Sequence, residues 1–183
     1  MPMKTLLTED QLGEGVERLA NEIREFYAGR PLTIVGVFIG SVVLLADLIR
    51  RLDTPLRVGL IQAQSRQGTR PGPLAVNTNV LSDIAGRDVL LVDDIFDTGK
   101  TLEELVPQID DLGPATVKVA VLLRKEGRCE TAMQPNFVGF DIPDSFVVGY
   151  GLDYRDAYRN LPYVAALEDH EMEDAQMSEE SGR

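Results

Sequence analysis

The feature that most constrains the fold is an alternation between short, almost wholly apolar segments and longer segments whose apolar residues recur every three or four positions. The apolar segments predict buried strands, and the periodic segments predict amphipathic helices. The predicted strands are residues 32–38, 57–63, 88–93 and 116–123, with shorter ones at 137–140 and 146–149. The predicted helices are residues 8–28, 42–52 and 102–112. This order predicts an α/β fold with a central, mainly parallel sheet and helices on both faces.

Two local sequence patterns mark where elements begin and end. Thr8 and Gln11 have the spacing of a capping box, which predicts the start of a helix. Residues 64–79 contain two glycines and two prolines and have no apolar periodicity. They predict a long loop or mobile flap, and loops of this length inside a compact domain are often functional.

The length and charge of the chain limit its architecture and its partners. A length of 183 residues is typical of one domain. The formal net charge is −12, and the last 16 residues, with seven acids and one arginine, carry half of it. We therefore expect a single domain over residues 1–168 and an acidic, mobile tail over residues 169–183. Nucleic acids are bound mainly through their negatively charged phosphates, which a protein of net negative charge repels. Binding of nucleic acid is therefore disfavoured.

Cysteine content and hydropathy bear on the cellular compartment. Cys129 is the single cysteine, which excludes an intrachain disulfide framework and fits the reducing cytoplasm. The longest uncharged stretch, residues 31–46, has 16 residues, whereas a membrane-spanning helix needs about 20. We therefore expect a cytoplasmic protein with no membrane partner. The lone histidine, His170, lies in the acidic tail and receives no functional role.

The segment from Val89 to Leu102 has the pattern of a ligand site. Apolar residues run into two adjacent acids, Asp93 and Asp94, and Asp97 precedes a short loop and a predicted helix. In open α/β sheets, ligands bind beyond the carboxyl ends of the strands. The free N–H groups at residues 98–101, with the helix dipole, suit a phosphate group. Three acids crowded at one strand end need metal, hydroxyl groups or water to stay ionised, which favours a site.

One competing motif is excluded by a single position. Gly99, Lys100 and Thr101 match the end of the P-loop of nucleoside triphosphatases. The first glycine of that motif would fall at position 94, where this chain has Asp94. A carboxylate there would face the phosphates, so the segment is not a P-loop.

The same segment resembles the phosphoribosyl-pyrophosphate signature of type I phosphoribosyltransferases. In that signature, four apolar residues, two acids and two further apolar residues come before the five-residue pattern Asp-Thr-Gly-Lys-Thr, found here at residues 97–101. Residues 122–125, 136–144, 146–154 and 158–163 resemble the hypoxanthine and guanine enzymes of that family. The resemblance extends over roughly residues 5–168. It implies the type I phosphoribosyltransferase fold, which adds a small hood and a mobile flap to the central parallel sheet.

The resemblance also implies a reaction of purine salvage. The 5-phosphoribosyl group of phosphoribosyl pyrophosphate is transferred to hypoxanthine, or to guanine or xanthine, giving a nucleoside monophosphate and pyrophosphate. The implied cofactor is Mg²⁺, and the implied partners are these small molecules and further copies of the chain in a homodimer or homotetramer. Two alternatives stay open: an enzyme that prefers guanine or xanthine, and a non-catalytic RNA-binding regulator of the same fold, which the net charge of −12 disfavours.

On the phosphoribosyl side, the resemblance assigns a role to each matching residue. Asp93 and Asp94 contact the ribose hydroxyls, and Asp97 is the general acid or base that handles the purine N7 proton. Arg159 contacts the leaving pyrophosphate. The remaining phosphoribosyl-pyrophosphate contacts are Ile39, Gly40, Thr98, Gly99, Lys100 and Thr101, and the implied metal ligands are Asp93, Asp94 and Asp153.

On the purine side, the resemblance assigns four residues. Lys125 donates a hydrogen bond to the 6-oxo group, which favours 6-oxopurines over adenine because an ammonium can only donate. Phe146 stacks on the base, and Val147 supplies backbone contacts. Asp153, counted among the purine-binding residues, matches a carboxylate on the magnesium–pyrophosphate side.

Two positions depart from the pattern of the family. Ile39 stands where the family often has lysine or arginine, so that charge is missing beside Gly40. The loop of the family contains a cis peptide bond without proline, which we predict at Ile39–Gly40. In the flap, Ser65 and Arg66 stand where the family commonly has serine and tyrosine, and Arg70, like Arg66, is a candidate to reach the pyrophosphate.

Overall fold

The computed structural model describes residues 3–62, 64–65, 74–75 and 84–168. The predicted flap residue Arg66, the neighbouring Arg70, and the tail 169–183 with His170 lie outside the described residues. The strands are β1 Lys4–Leu7, β2 Leu32–Phe38, β3 Leu56–Gln62, β4 Gln64–Ser65, β5 Leu74–Ala75, β6 Asp88–Phe96, β7 Thr116–Lys125, β8 Phe137–Ile142, β9 Phe146–Val148 and β10 Val164–Leu167. The helices are α1 Glu9–Tyr27, α2 Val42–Ile49 and α3 Lys100–Asp110.

The central sheet has five strands in the order β3-β2-β6-β7-β8, and all neighbouring strands are parallel. Its strands are apolar on both faces because both faces are covered. Leu90 and Val92 of β6 pack in one core with α1 and α2, whereas Val89 and Leu91 pack in a second core with α3. This arrangement confirms the predicted parallel sheet with helices on both faces.

Helix α1 begins where the capping box predicts. The Gln11 amide donates to Thr8 Oγ1, and the Thr8 amide donates to Gln11 Oε1. The helix ends at Ala28, which has a left-handed conformation with φ of 48°, and Gly29 continues in that region. The chain then enters β2 at the predicted residue.

Several predicted boundaries are corrected by the structure. Strand β6 extends to Phe96 because it pairs with β7 as far as Arg124, so Asp94 lies inside the strand rather than after it, and Asp93 is not its last residue. Helix α2 ends at Ile49 and α3 begins at Lys100, earlier than predicted in both cases. Within residues 64–79, predicted as a loop, β4 and β5 pair antiparallel.

A second, three-stranded antiparallel sheet has the order β1-β10-β9. It corresponds to the hood that the resemblance implied. Strands β1 and β10, which have four residues each, were not predicted from the sequence. In the described part of the chain, no helix combines the length and apolar composition that crossing a membrane requires.

The order of the strands places a cleft between β2 and β6. After β2 the chain continues to β3 on one side, and after β6 it continues to β7 on the other side. The loops that leave β2 and β6 therefore diverge, which opens a crevice beyond their carboxyl ends. The predicted site residues at 39–40 and 93–101 follow these two strands.

Two glycines of α1 test how closely this helix packs on the sheet. A Cβ on Gly15 would overlap the ring of Phe140 in β8, whereas a Cβ on Gly13 would meet no atom within 4 Å. We expect Gly15→Ala to lower the free energy of unfolding by about 1–3 kcal/mol through overpacking. Gly13→Ala should raise it by about 0.5–1 kcal/mol through helix propensity. Urea unfolding measures both, and equal effects of the two substitutions would contradict the packing described.

Candidate active site

The C-terminal half of β6 presents two acids, Asp93 and Asp94, that the backbone holds in place. The amide of Asp94 donates to Asp93 Oδ1 over 3.0 Å, and the amide of Ile95 donates to Asp94 Oδ1 over 2.8 Å. Asp93 is buried, with 7% of its surface exposed. Each carboxylate is thus fixed by the N–H of the residue that follows it, so both are oriented before any ligand binds.

Burial dominates the electrostatics of this acid pair. It raises the pKa of both carboxyls, and the charge of Asp94 raises the pKa of Asp93 further. For Asp94, hydrogen bonds with Asp93 and from the Ile95 amide, and the charge of Arg159, lower the pKa in part. Two carboxylates held this way are stabilised by a ligand that donates hydrogen bonds or carries positive charge, such as sugar hydroxyls or a metal ion.

The turn after β2 lies directly against this pair. A Cβ on Gly40 would overlap the carboxylate of Asp94, and one on Gly151 would overlap the carbonyl oxygen of Gly40. Only glycine leaves room at position 40 for the turn to approach the acid. The cis peptide bond is Phe38–Ile39, at the point where β2 ends and the chain leaves the sheet, and not the predicted Ile39–Gly40.

A pocket of about 270 Å³ lies between this turn, the end of β6 and the start of α3; we call it the α3 pocket. Its walls include Gly40, Asp93, Asp94, Asp97, Thr98, Gly99 and Thr101. Gly99, whose φ is 86°, is the N-cap of helix α3, and no described side chain caps the first amides of this helix. Uncapped amides and the helix dipole suit an anion, and the phosphate contacts assigned to residues 98–101 stay a prediction.

Two predicted residues of this region point elsewhere. The side chain of Lys100 is 61% exposed and forms an ion pair with Glu130 over 2.5 Å, so only the backbone of Lys100 belongs to the start of α3. Ile39 is exposed and does not line the α3 pocket.

A second pocket, of about 200 Å³, adjoins the first on the side of β9; we call it the β9 pocket. It brings together the four residues predicted to bind the purine: Lys125, Phe146, Val147 and Asp153. The ring of Phe146 is 41% exposed and meets the Tyr154 ring edge to face, which is the behaviour of a binding surface rather than of a core residue. Val147 lines the same pocket but is buried, and its backbone contact with the base stays a prediction.

Asp97 lies where the two pockets meet, and each of its oxygens has a cationic partner. Lys125 Nζ donates to Oδ2 over 3.2 Å, and Arg128 Nε donates to Oδ1 over 3.0 Å. Partial burial raises the pKa of Asp97, but the hydrogen bonds and charges of Arg128 and Lys125 outweigh it, so the pKa lies below its ordinary value. Asp97 is therefore an ionised proton acceptor at neutral pH.

Arg159 and Asp153 form an ion pair at the other end of the site. Arg159 Nη2 lies 2.8 Å from Asp153 Oδ1, and Arg159 Nη1 donates to the carbonyl of Gly151 over 2.8 Å. Asp153 Oδ2 accepts from the amide of Asp156 over 2.8 Å. Arg159 lines neither of the two pockets but lies close enough to Asp94 to lower its pKa.

Among the described residues, no three His, Cys, Asp or Glu side chains gather into a metal cage. Magnesium in nucleotide enzymes is commonly held by one or two carboxylates together with substrate phosphates, so the carboxylates present suit that ion. The assignment of Asp93, Asp94 and Asp153 as metal ligands stays a prediction.

Sequence reasoning missed the contribution of the β7–β8 loop, residues 126–136. Arg128 from this loop contacts Asp97, and Asp144 from the β8–β9 turn lies 3.8 Å from Lys125. The single sequence signal is an arginine three residues after the predicted purine-binding lysine, and nothing in that spacing specifies a contact. Ser65 belongs to β4, but its side chain is outside the described structure, so its flap role stays a prediction.

Comparison with known proteins gives consistent results. A family model described as phosphoribosyl transferase domain matches residues 3–155. A hypoxanthine-guanine phosphoribosyltransferase of Streptococcus pneumoniae is 38% identical over 169 residues, which are 91% of this chain and 93% of the relative.

Solved structures agree with this match. A hypoxanthine-guanine phosphoribosyltransferase of Bacillus anthracis is similar with a TM-score of 0.85 and 35% identity, covering 91% of this chain and 100% of that one. A Trypanosoma cruzi hypoxanthine phosphoribosyltransferase, solved as a ternary substrate complex, is similar with a TM-score of 0.86 and 32% identity, covering 92% and 96%. The family model, the relatives and the shared fold confirm the family resemblance: the chain belongs to the phosphoribosyl transferase domain family.

Proposed function

We propose that this chain transfers the 5-phosphoribosyl group of phosphoribosyl pyrophosphate to hypoxanthine, releasing pyrophosphate and giving inosine monophosphate. The observation that carries the proposal is the wall that the two pockets share, formed by Asp94, Ile95 and Asp97. A phosphate at the start of α3 and a base against Phe146 would place the sugar carbon between them at this wall. The place where the two pockets meet would then be the place where the sugar carbon is transferred to the base.

The names of the relatives support a purine base. The Streptococcus pneumoniae relative named above and a Staphylococcus aureus protein that is 36% identical are both called hypoxanthine-guanine phosphoribosyltransferases. Guanine is therefore proposed as a second substrate. The RNA-binding regulator is not favoured, because these relatives carry enzyme names.

The proposed chemistry uses this chain's side chains to bind, orient and accept one proton. The bond between C1′ of the ribose and the pyrophosphate oxygen breaks, and a bond from C1′ to a purine ring nitrogen forms. Asp93 and Asp94 accept hydrogen bonds from the ribose hydroxyls and hold C1′ towards the base. Asp97 accepts the purine N7 proton. Lys125 turns from Asp97 to donate to the 6-oxo group.

As the bond between C1′ and the pyrophosphate oxygen breaks, negative charge develops on the leaving pyrophosphate. We propose Arg159 as the guanidinium that contacts it, released from its bond with Asp153 when pyrophosphate is present. Asp93, Asp94 and Asp153 are the carboxylates proposed to hold Mg²⁺, which when bound would neutralise part of the pyrophosphate charge.

We also propose that the chain forms a homodimer or homotetramer. Support comes from apolar side chains on edge strand β3 and around the β2–α2 turn, each at least 38% exposed: Phe38, Ile39, Val42, Val58 and Leu60. Four further expectations stay proposals: a single domain over residues 1–168, an acidic tail over residues 169–183, a cytoplasmic location, and the flap role of Ser65 and Arg66.

Steady-state kinetics with hypoxanthine, guanine, xanthine and adenine, with magnesium present, test the proposed function. We expect the highest kcat/KM for hypoxanthine and almost none for adenine.

Lys125→Ala should lower kcat/KM for hypoxanthine by about 10²-fold with little change for adenine, because the site then lacks its donor to the 6-oxo group. Lys118→Ala is the matched control, since Lys118 lies at the other end of β7 against Phe26. Unaltered selectivity in Lys125→Ala would contradict the assignment.

The turn at Gly40 gives a second prediction. Gly40→Ala forces the turn away from Asp94, so we expect kcat/KM for phosphoribosyl pyrophosphate to fall by about 10²-fold or more. Gly13→Ala, where a methyl group meets open space, is the control and should retain wild-type kinetics. A Gly40→Ala enzyme with normal kinetics would show that the turn does not contact the bound substrate.

A further inference from the structure

The β7–β8 loop presents a cation to Asp97 from outside the two pockets. Arg128 lines neither the α3 pocket nor the β9 pocket, and 43% of its side chain is exposed. Its Nε nevertheless donates to Asp97 Oδ1 over 3.0 Å, on the oxygen that Lys125 does not contact. The Asp97 carboxylate is therefore held from two sides, by a lysine on strand β7 and by an arginine on the β7–β8 loop.

The position of Arg128 is fixed because its loop is tied to the turn that carries Asp97. The amide of Glu130 donates to the carbonyl of Thr98 over 3.0 Å, and the Glu130 carboxylate pairs with Lys100. The Thr131 hydroxyl occupies the space that a side chain at Gly99 would take. Loop and turn thus form one unit, and the bond from Arg128 to Asp97 lies inside it.

We infer that Arg128 is a positioning residue for Asp97, an inference that rests on the proposed function. When Lys125 turns to donate to a purine 6-oxo group, Asp97 loses one of its two cations. Arg128 then remains on Oδ1, holds the carboxylate in its orientation and leaves Oδ2 free to accept the purine proton. A guanidinium suits this duty because it stays charged throughout and donates in a fixed plane.

The charges around Asp97 make the loss of Arg128 consequential. The charged groups that face it are Lys125 from β7, Arg128 and Glu130 from the β7–β8 loop, Asp144 from the β8–β9 turn, and Asp94 and Asp153 across the β9 pocket. With Lys125 engaged by the base, the remaining neighbours other than Arg128 are acids. Without Arg128, the carboxylate of Asp97 would bind a proton more readily, and its pKa would rise.

Arg128→Gln, Arg128→Lys and a matched control, Arg124→Gln, test the inference. Arg124 lies in strand β7, its side chain is 36% exposed and pairs with Asp141, and it lines neither pocket. We expect Arg128→Gln to lower kcat at neutral pH roughly tenfold, less than loss of the general base itself. The acid limb of its pH profile for kcat/KM should move to higher pH, while KM for phosphoribosyl pyrophosphate stays within about twofold. Arg128→Lys should retain the wild-type limb, and Arg124→Gln should change neither quantity.

Asp97→Asn separates a failure of the inference from a failure of the proposed function. If Asp97→Asn keeps wild-type turnover, the proposed role of Asp97 is wrong. If it loses turnover while Arg128→Gln matches Arg124→Gln in kcat and pH profile, the inference about Arg128 is overturned and the proposed function stands. Asp97→Asn combined with Arg128→Gln should be no slower than Asp97→Asn alone, and an additive loss would contradict an action through Asp97.

Discussion

The burial of two adjacent carboxylates near the end of β6 is the constraint on which the rest of the site depends. Asp93 and Asp94 extend a strand that packs on both faces, and their oxygens are held by the backbone that follows them. Burial raises the pKa of both, so the pair is stabilised by sugar hydroxyls or a cation. The turn at Gly40 packs against Asp94, and the charge of Arg159 offsets part of the rise in the pKa of Asp94.

A second set of charges is arranged for a different task. Asp97 is only partly buried, and its cations keep it ionised, whereas the pKa values of Asp93 and Asp94 are raised by burial. Carboxyls a few residues apart on one segment thus have opposite electrostatic environments, which fits the two roles that we propose for them, binding of the sugar and acceptance of a proton. The strand order puts both environments at one switch point beside the start of α3.

The elements with strong local signals could be predicted from the sequence, and those that depend on partners could not. Strand β2 and the capped start of α1 were predicted because their residues specify them locally. The extension of β6 to Phe96 depends on pairing with β7, and β1 and β10 pair across almost the whole chain. The acids and Lys125 were identifiable by resemblance, whereas the contact between Arg128 and Asp97 arises only when the β7–β8 loop folds onto the turn.

A crystal structure with bound inosine monophosphate would show whether the product nucleotide occupies this cleft. We expect the 5′-phosphate on the amides at the start of α3, the ribose hydroxyls on Asp93 and Asp94, and the base between Phe146 and Lys125. A structure in which this cleft is empty and the nucleotide is bound elsewhere would contradict this expectation.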